Sequence, residues 1–255
     1  MIRILVANDD GIEFEGISKL VEALSQAGEV YVFAPGQQRS ASSHALTIGK
    51  AISLKPYSMA NAKEAYEVGG TPADCVRLGM QILKEKGIGV DLVCTGINHG
   101  ANLGTDTMYS GTVSAAAEGM FVGVPSMAVS VASHEAQYFE GACKLAVKLI
   151  PATLKTKGRR AVVNINTPNV PMEQIKGVKV ARLGIVNYID WYDKIGESGQ
   201  EALYRYAGTL GEPTDLDMDK DTNLINQGYA TVSMVRYDLN DYEALKEIDK
   251  WDISL

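Results

Sequence analysis

The chain opens on an apolar run, Ile2 to Ala7, broken only by Arg3 and ended by Asn8-Asp9-Asp10, which marks a buried strand. Ile17, Leu20, Val21 and Leu24 follow at helical spacing, with Gly28 read as the stop of that helix. Val30 to Ala34, halted by Pro35-Gly36, is the next strand, so the opening is strand, helix, strand with a right-handed crossover. Gly49-Lys50 reads as a turn before a strand at Ala51 to Leu54, and Thr71-Pro72 starts a second helix, Thr71 as N-cap and Pro72 in its first position. Asp91 to Thr95 is a strand that runs into a glycine-rich turn. Thr112 to Val122 is an Ala-rich helix, Ser126 to Val131 a strand, Glu135 to Leu154 a long helix and Ala161 to Asn166 one more strand. This alternation predicts an α/β fold, a Rossmann-like doubly wound and mostly parallel sheet.

Beyond Pro168 the pattern loosens. Asn187 to Lys220 carries Tyr, Trp, Gly and acidic residues without periodicity, before Gly228 to Val235 returns as a strand. The expected organisation is a Rossmann-like core over 1–170 and a C-terminal extension of loops and hairpins over 171–255. That extension is expected to pack on the core and on a partner subunit, the whole forming one functional domain.

Composition narrows the partners more than the fold. Of 255 residues 46% are apolar and 22% charged, an ordinary globular balance that excludes a disordered or fibrous chain. A net charge of −7 argues against nucleic acid and anionic membranes, which need an excess of Lys and Arg. Cys75, Cys94 and Cys143 are odd in number, far apart and set in apolar surroundings, as expected of reduced thiols in the cytoplasm. The first apolar stretch is too short for a signal peptide, and no segment approaches a membrane span. An acidic protein can still hold a small anion if it carries a local device for it.

Four strand ends carry polar clusters where ligands of such sheets bind. The first gives Asn8-Asp9-Asp10-Gly11: two adjacent carboxylates repel, and a hard divalent cation resolves the conflict, though an acidic turn capping the next helix is also compatible. The second gives the long loop Gly36 to Ser43, rich in hydroxyls and amides. The third gives Thr95 to Gly104, where Gly96, Gly100 and Gly104 allow close backbone approach and the Asn98 amide oxygen is a hard neutral donor. The last, Tyr109-Ser110-Gly111-Thr112, leads into the Ala-rich helix, whose free N–H groups make an anion site without net positive charge.

Taken in order, Asn8-Asp9-Asp10-Gly11, Ala34-Pro35 with Arg39-Ser40, Gly70 to Cys75, Gly96 to Gly104 and Tyr109 to Val113 resemble the motifs of the SurE (survival protein E) family of metal-dependent nucleoside-monophosphate phosphatases. The resemblance is close over about the first 170 residues and weaker to the strand with Gly228-Tyr229. It implies one divalent cation (Mg²⁺, Mn²⁺ or Co²⁺) per subunit, held by Asp9, Asp10, the Ser40 hydroxyl and the Asn98 amide. It implies a 5′-nucleotidase, with 3′-nucleotides and short polyphosphate as further substrates, assembled as a homodimer or homotetramer. On this reading Asn8, Asp9, Ser110 and Thr112 are catalytic, and Ser40, Asn98, Asn102, Ser110, Gly111 and Thr112 bind substrate. Two departures touch the rim of the site: Glu13-Phe14-Glu15-Gly16 where the family has His-Ala-Pro-Gly, and Thr222-Asn223 where it has Thr-Asp.

Competing readings lack their residues. A receiver domain also binds magnesium through an acidic pair, but the later strand ends here give Ser40, Asn98 and Ser133, not an acceptor Asp and a Lys. No Gly-x-Gly-x-x-Gly follows the first strand, and Gly49-Lys50 lacks the rest of a Walker loop. Asp215 to Asp221 has Lys220 and Asn226 where a calcium loop has Gly and Glu, and reads as a solvated acidic loop. Of the histidines, His99 is the one placed to line the site; His44 and His134 are bystanders. Tyr188, Trp191 and Tyr192 are able to stack on a base, although packing or an interface is the commoner role of such a cluster. A non-catalytic nucleotide- and metal-binding protein is the alternative function, distinguished by binding without phosphate release.

Overall fold

The computed structural model describes residues 1–39, 41–211, 217–248 and 250–253. In chain order the elements are β1 (Ile2–Ala7), α1 (Glu15–Leu24), β2 (Gly28–Pro35), β3 (Leu54–Tyr57), β4 (Glu64–Val68), α2 (Pro72–Glu85), β5 (Leu92–His99), α3 (Gly111–Phe121), β6 (Ser126–Ala132), α4 (Glu140–Leu154) and β7 (Ala161–Pro168). They continue with β8 (Val178–Val180), β9 (Tyr188–Ile189), β10 (Tyr192–Ser198), β11 (Glu201–Tyr206), β12 (Thr209–Leu210), α5 (Asp221–Asn226), β13 (Ala230–Arg236) and α6 (Tyr242–Ile248). Nine strands form one sheet in the order β3-β4-β2-β1-β5-β6-β7-β13-β8, parallel from β4 to β7, with β3 antiparallel to β4 and β13 antiparallel to β7.

Alternation along the strands assigns each side chain to a layer. Ile4 and Val6 of β1 pack with Ile17, Leu20, Val21 and Leu24 of α1 and with Ala142, Leu145 and Ala146 of α4. Leu5 and Ala7, pointing the other way, join Phe33, Cys75 and Val76 of α2 and Ala115 of α3. The sheet is therefore buried on both faces, and the chain winds outward from β1 in one direction and from β5 in the other. The crevice between β1 and β5 is the switch point where open α/β sheets bind ligands.

Thr71 caps α2 as expected, its hydroxyl accepting the Asp74 N–H at 3.1 Å while the Asp74 carboxylate accepts the Thr71 N–H at 2.9 Å. Gly28 is not a helix stop. α1 ends at Leu24, and Gly28 starts β2 opposite Ile2, where a Cβ would stand 2.4 Å from the Ile2 carbonyl oxygen. α4 starts at Glu140, later than expected, because the Asn169 side chain holds the Gln137 and Tyr138 N–H groups in a turn at 2.9 and 3.2 Å. The strand expected at Ala51 to Leu54 lies at Leu54–Tyr57, and β4, which the pattern does not reveal, pairs parallel with β2. β13 and β8 carry the sheet beyond residue 170, whereas β9 to β12 form two small sheets outside it. Among the described residues no helix is long and apolar enough to cross a membrane.

Candidate active site

The end of β1 turns sharply because Asn8 grips the backbone of Gly11, its Nδ2 donating to the Gly11 carbonyl at 2.8 Å and its Oδ1 accepting the Gly11 N–H at 3.3 Å. Asn8, expected to act on substrate, thus spends both ends of its amide on the turn that presents Asp9 and Asp10. Both carboxylates are buried, and their partners are neutral. Asp9 accepts the Thr112 hydroxyl at 2.5 Å; Asp10 accepts the His99 N–H at 3.0 Å and, more distantly, the Gln38 amide at 3.5 Å. Burial pushes Asp9 up to about 6, against the opposing bond from Thr112, and raises Asp10 as well.

β5 runs further than its apolar segment, through Gly96 and Ile97 to His99, with a register shift against β6 between Thr95 and Asn98. That irregular end brings Asn98 beside the acidic pair's loop. The Asn98 Nδ2 donates to the Gly100 carbonyl at 2.8 Å, which leaves its Oδ1 as the group available to a cation. The glycines here serve packing: a Cβ at Gly96 would meet the Val129 carbonyl oxygen at 2.2 Å, and one at Gly104 the Gly184 oxygen at 2.4 Å. Asn102 is clamped, its N–H donating to Asn166 Oδ1, its carbonyl accepting the Asn164 and Asn166 amides, and its own Nδ2 donating to Ser130. It anchors the loop from behind, and its amide nitrogen is turned toward β6.

The helix start is built as expected. Ser110 caps α3, its hydroxyl accepting the Val113 N–H at 3.0 Å, and Thr95 holds the Thr112 carbonyl at 2.7 Å. The N–H groups of Gly111 and Thr112 have no helical acceptor. Gly111 is required by proximity, since a Cβ there would stand 2.9 Å from Asp9 Oδ2. Ser40 lies outside the described residues, as do Asp215 and Leu216 of the acidic loop. Next to Ser40, the Arg39 N–H donates to the Asp9 carbonyl at 2.7 Å, which ties that loop to the end of β1.

The donor set fits a hard divalent cation. Two adjacent buried carboxylates whose partners are neutral need positive charge, and oxygen donors are what Mg²⁺ and Mn²⁺ take. Among the described residues no group of three or more His, Cys, Asp or Glu is assembled, so further donors to a cation at the pair would have to be neutral oxygens, such as Asn98 Oδ1.

A model of the family described as survival protein SurE matches residues 4–190. The chain belongs to the SurE family. It is 41% identical, over 98% of its length and 95% of the relative's, to the 5′-nucleotidase SurE of Pelotomaculum thermopropionicum. It is 37% identical to that of Syntrophomonas wolfei over 98% and 94% of the two chains. The crystal structure of the SurE protein from Aquifex aeolicus superposes with a TM-score of 0.80 at 34% identity, covering 97% of this chain and 98% of that one.

In this SurE chain several groups around the site escape sequence reasoning. The Asp221 carboxylate accepts the N–H groups of Gly104, Gly184 and Thr222 at 2.8–2.9 Å, so the C-terminal extension fastens the glycine-rich loop. Asn164 and Asn166 do the same from β7. His99 contributes its backbone N–H, while its ring lies against Phe14 and Phe139, with centroids 5.7 and 5.4 Å apart. Phe14, from the segment that departs from the family pattern, thus packs on the back of the acidic pair's neighbour. His134, expected to be a bystander, lies against Gly100, and His44 bonds the buried Glu118 at 2.6 Å. Asn223 lines a cleft of about 370 Å³ with Gly100, His134, Tyr188 and Asn226. Asp217 and Asp219 of the acidic loop face Arg182 at 3.0 and 2.6 Å.

Proposed function

We propose that this protein is a metal-dependent phosphatase of nucleoside 5′-monophosphates. The observation that carries the reading is the buried pair Asp9 and Asp10 packed against the start of α3, an arrangement that suits a cation beside a bound anion. The activity for which its relatives are named, 5′-nucleotidase, is the same chemistry.

Asp9, Asp10, Asn98 and Ser40 would hold the cation, which when bound supplies positive charge to phosphoryl oxygens and lowers the pKa of water. The N–H of Gly111, aligned with the α3 dipole, receives a phosphoryl oxygen and stabilises charge that grows in the transition state. Thr112 fixes the rotamer of Asp9 through its hydroxyl. Asn102, Asn164 and Asn166 keep the 100–104 loop rigid, so that Asn98 is presented in one orientation. Among the described residues no His or Lys hydrogen-bonds the Ser110 hydroxyl, which is spent on capping, and this favours direct attack by water over a seryl intermediate. The cleft from Gly100 to Asn226 starts two residues past Asn98 and is roomy enough for a nucleoside.

The extension exposes Tyr188, Ile189, Tyr192, Leu203 and Tyr204 together, a surface suited to a second copy of the chain in a homodimer or a larger homo-oligomer. The three cysteines are free, two of them buried, in keeping with a cytoplasmic protein.

A phosphate-release assay on nucleoside 5′- and 3′-monophosphates and short polyphosphate, with Mg²⁺, Mn²⁺ or Co²⁺ and an EDTA control, tests the reading. Release from 5′-monophosphates that EDTA abolishes is the expected result. Nucleotide binding without release under every metal would replace the enzyme by a binding protein.

A further inference from the structure

The loop between β2 and β3 carries a hydroxyl that the assigned site does not use. The Ser42 Oγ is shielded from solvent and has no hydrogen-bond partner among the described residues, a state that buried hydroxyls rarely adopt. It faces the reaction site. A Cβ built on Gly111 would stand 3.0 Å from Ser42 Oγ and 2.9 Å from Asp9 Oδ2, so the Ser42 hydroxyl and the Asp9 carboxylate both close on Gly111 at the start of α3, an approach that only glycine allows.

The backbone is held there against its preference. Ala41 and Ser43, on either side, have φ of 54° and 51°, a left-handed conformation that side chains disfavour. Contacts from the far side of the site keep them in place: the Ser43 N–H donates to the Tyr109 carbonyl at 3.1 Å and its hydroxyl to the Met108 carbonyl at 2.8 Å. Further along, Ala45 accepts the Thr71 hydroxyl and Thr47 donates to Asp74. A strained loop, pinned at several points, thus aims one unsatisfied hydroxyl between a carboxylate and a helix N-terminus. Strain and an orphaned polar group at one place are what a ligand-binding position requires.

We propose that Ser42 is a phosphate-binding residue, its hydroxyl donating to a non-bridging oxygen of the phosphoryl group held at the start of α3. The proposal rests on the phosphatase reading and adds to it a contact outside the acidic pair and its neutral donors. A phosphoryl oxygen drawn to the Gly111 N–H would arrive beside this hydroxyl and satisfy the Ser42 proton.

The test compares wild type with Ser42→Ala and Ser42→Thr in three measurements. Calorimetric binding of inorganic phosphate to the Mn²⁺-loaded protein should weaken about 10-fold in Ser42→Ala, the scale of one lost hydrogen bond to a charged group. KM for a nucleoside monophosphate should rise by a similar factor with a smaller fall in kcat, and Ser42→Thr, which keeps the hydroxyl, should recover most of both. The metal-free melting temperature of Ser42→Ala should hold or rise, since an unsatisfied buried hydroxyl is removed. Unchanged phosphate binding in Ser42→Ala overturns the proposal, as does weakened binding that tracks a fall in melting temperature. A shifted Mn²⁺ midpoint with unaltered phosphate affinity also overturns it, by making Ser42 a cation ligand. If wild type releases no phosphate from any nucleotide, the phosphatase reading fails separately; phosphate binding then decides Ser42 alone, and a wild type that binds none sinks it.

Discussion

At the carboxyl ends of β1 and β5, Asn8, Asp9, Asp10, Asn98, Asn102, Ser110 and Thr112 are all buried. In the β10–β11 hairpin and its flanks the inversion runs the other way: Leu203 and Tyr204 are 41% and 59% exposed, with Tyr188, Ile189, Trp191, Tyr192 and Tyr206 exposed around them. One region hides charge and the other displays apolar surface, and each arrangement is unfavourable for the chain by itself. The difference lies in what would relieve each. The first region has most of its neutral polar groups paired, Ser42 Oγ and His99 Nε2 apart, and lacks positive charge. The second has hairpin hydrogen bonds of its own, between Tyr192–Ser198 and Glu201–Tyr206, and lacks a surface to cover it. A cation answers the first and a protein surface the second, so violations of ordinary burial, sorted by their chemistry, point to different kinds of partner.

Asp9→Asn should separate these most sharply. At neutral pH an ionised carboxylate with its pKa raised to about 6 is held against its preference, so the amide relieves the metal-free protein while Oδ1 still accepts the Thr112 hydroxyl. Phosphate release should fall by about 100-fold or more, on the scale of losing one preorganised transition-state contact. The metal-free melting temperature should not fall, and the stabilisation that Mn²⁺ confers should vanish. A variant that kept full metal-dependent activity would remove the acidic pair from the site.

Asp221→Ala comes next. It strands the N–H groups of Gly104, Gly184 and Thr222 in a buried position, at a cost of about 2–4 kcal/mol. Thermal unfolding should show a drop of several degrees, with activity falling as the 100–104 loop loosens. An unchanged melt would mean that the clamp of Asn164 and Asn166 holds the loop unaided. Thr71→Ala, which removes the cap of α2 and the bond to Ala45, should cost about 1 kcal/mol in the same measurement. Activity in that variant reports how far the Ser42 loop depends on its distal anchor.

How much of this was legible in the sequence depends on the range over which each feature is written. Ile4 and Val6 against Leu5 and Ala7 state their two layers within four residues, and Thr71-Pro72 states a helix start within two. The acidic pair and the Ser110-Gly111-Thr112 helix start are likewise local, and the fold brings them into contact through the bond from Thr112 to Asp9. Asp221 was illegible because its partner Gly104 is 117 residues away and nothing near it in sequence requires a buried acceptor. β4, with the sequence Glu-Ala-Tyr-Glu-Val, has too few apolar residues to stand out, although pairing with β2 makes it a strand. Asn8 shows the limit in the other direction: an amide beside two carboxylates reads as a substrate ligand, yet its bonds go to the turn at Gly11. Residue type and spacing announce a site, while the division of labour within it is settled by bonds between distant segments.

The smallest effect on folding, and the one that would break the comparison most directly, belongs to the hairpin. Leu203→Ser combined with Tyr204→Ser removes two exposed apolar side chains from β11 without touching the nine-stranded sheet. Exposed substitutions of this kind usually change stability by no more than about 0.5 kcal/mol, so monomer unfolding at low protein concentration should be nearly unaltered. Mass measured by light scattering at assay concentration should fall toward the 27.4 kDa of one chain, against at least twice that for wild type. A wild type that is itself monomeric would mean that the exposed surface meets a different partner. A double variant that unfolds like a core mutant would mean that the hairpin packs on its own chain after all, and the two regions would then differ in degree and not in kind.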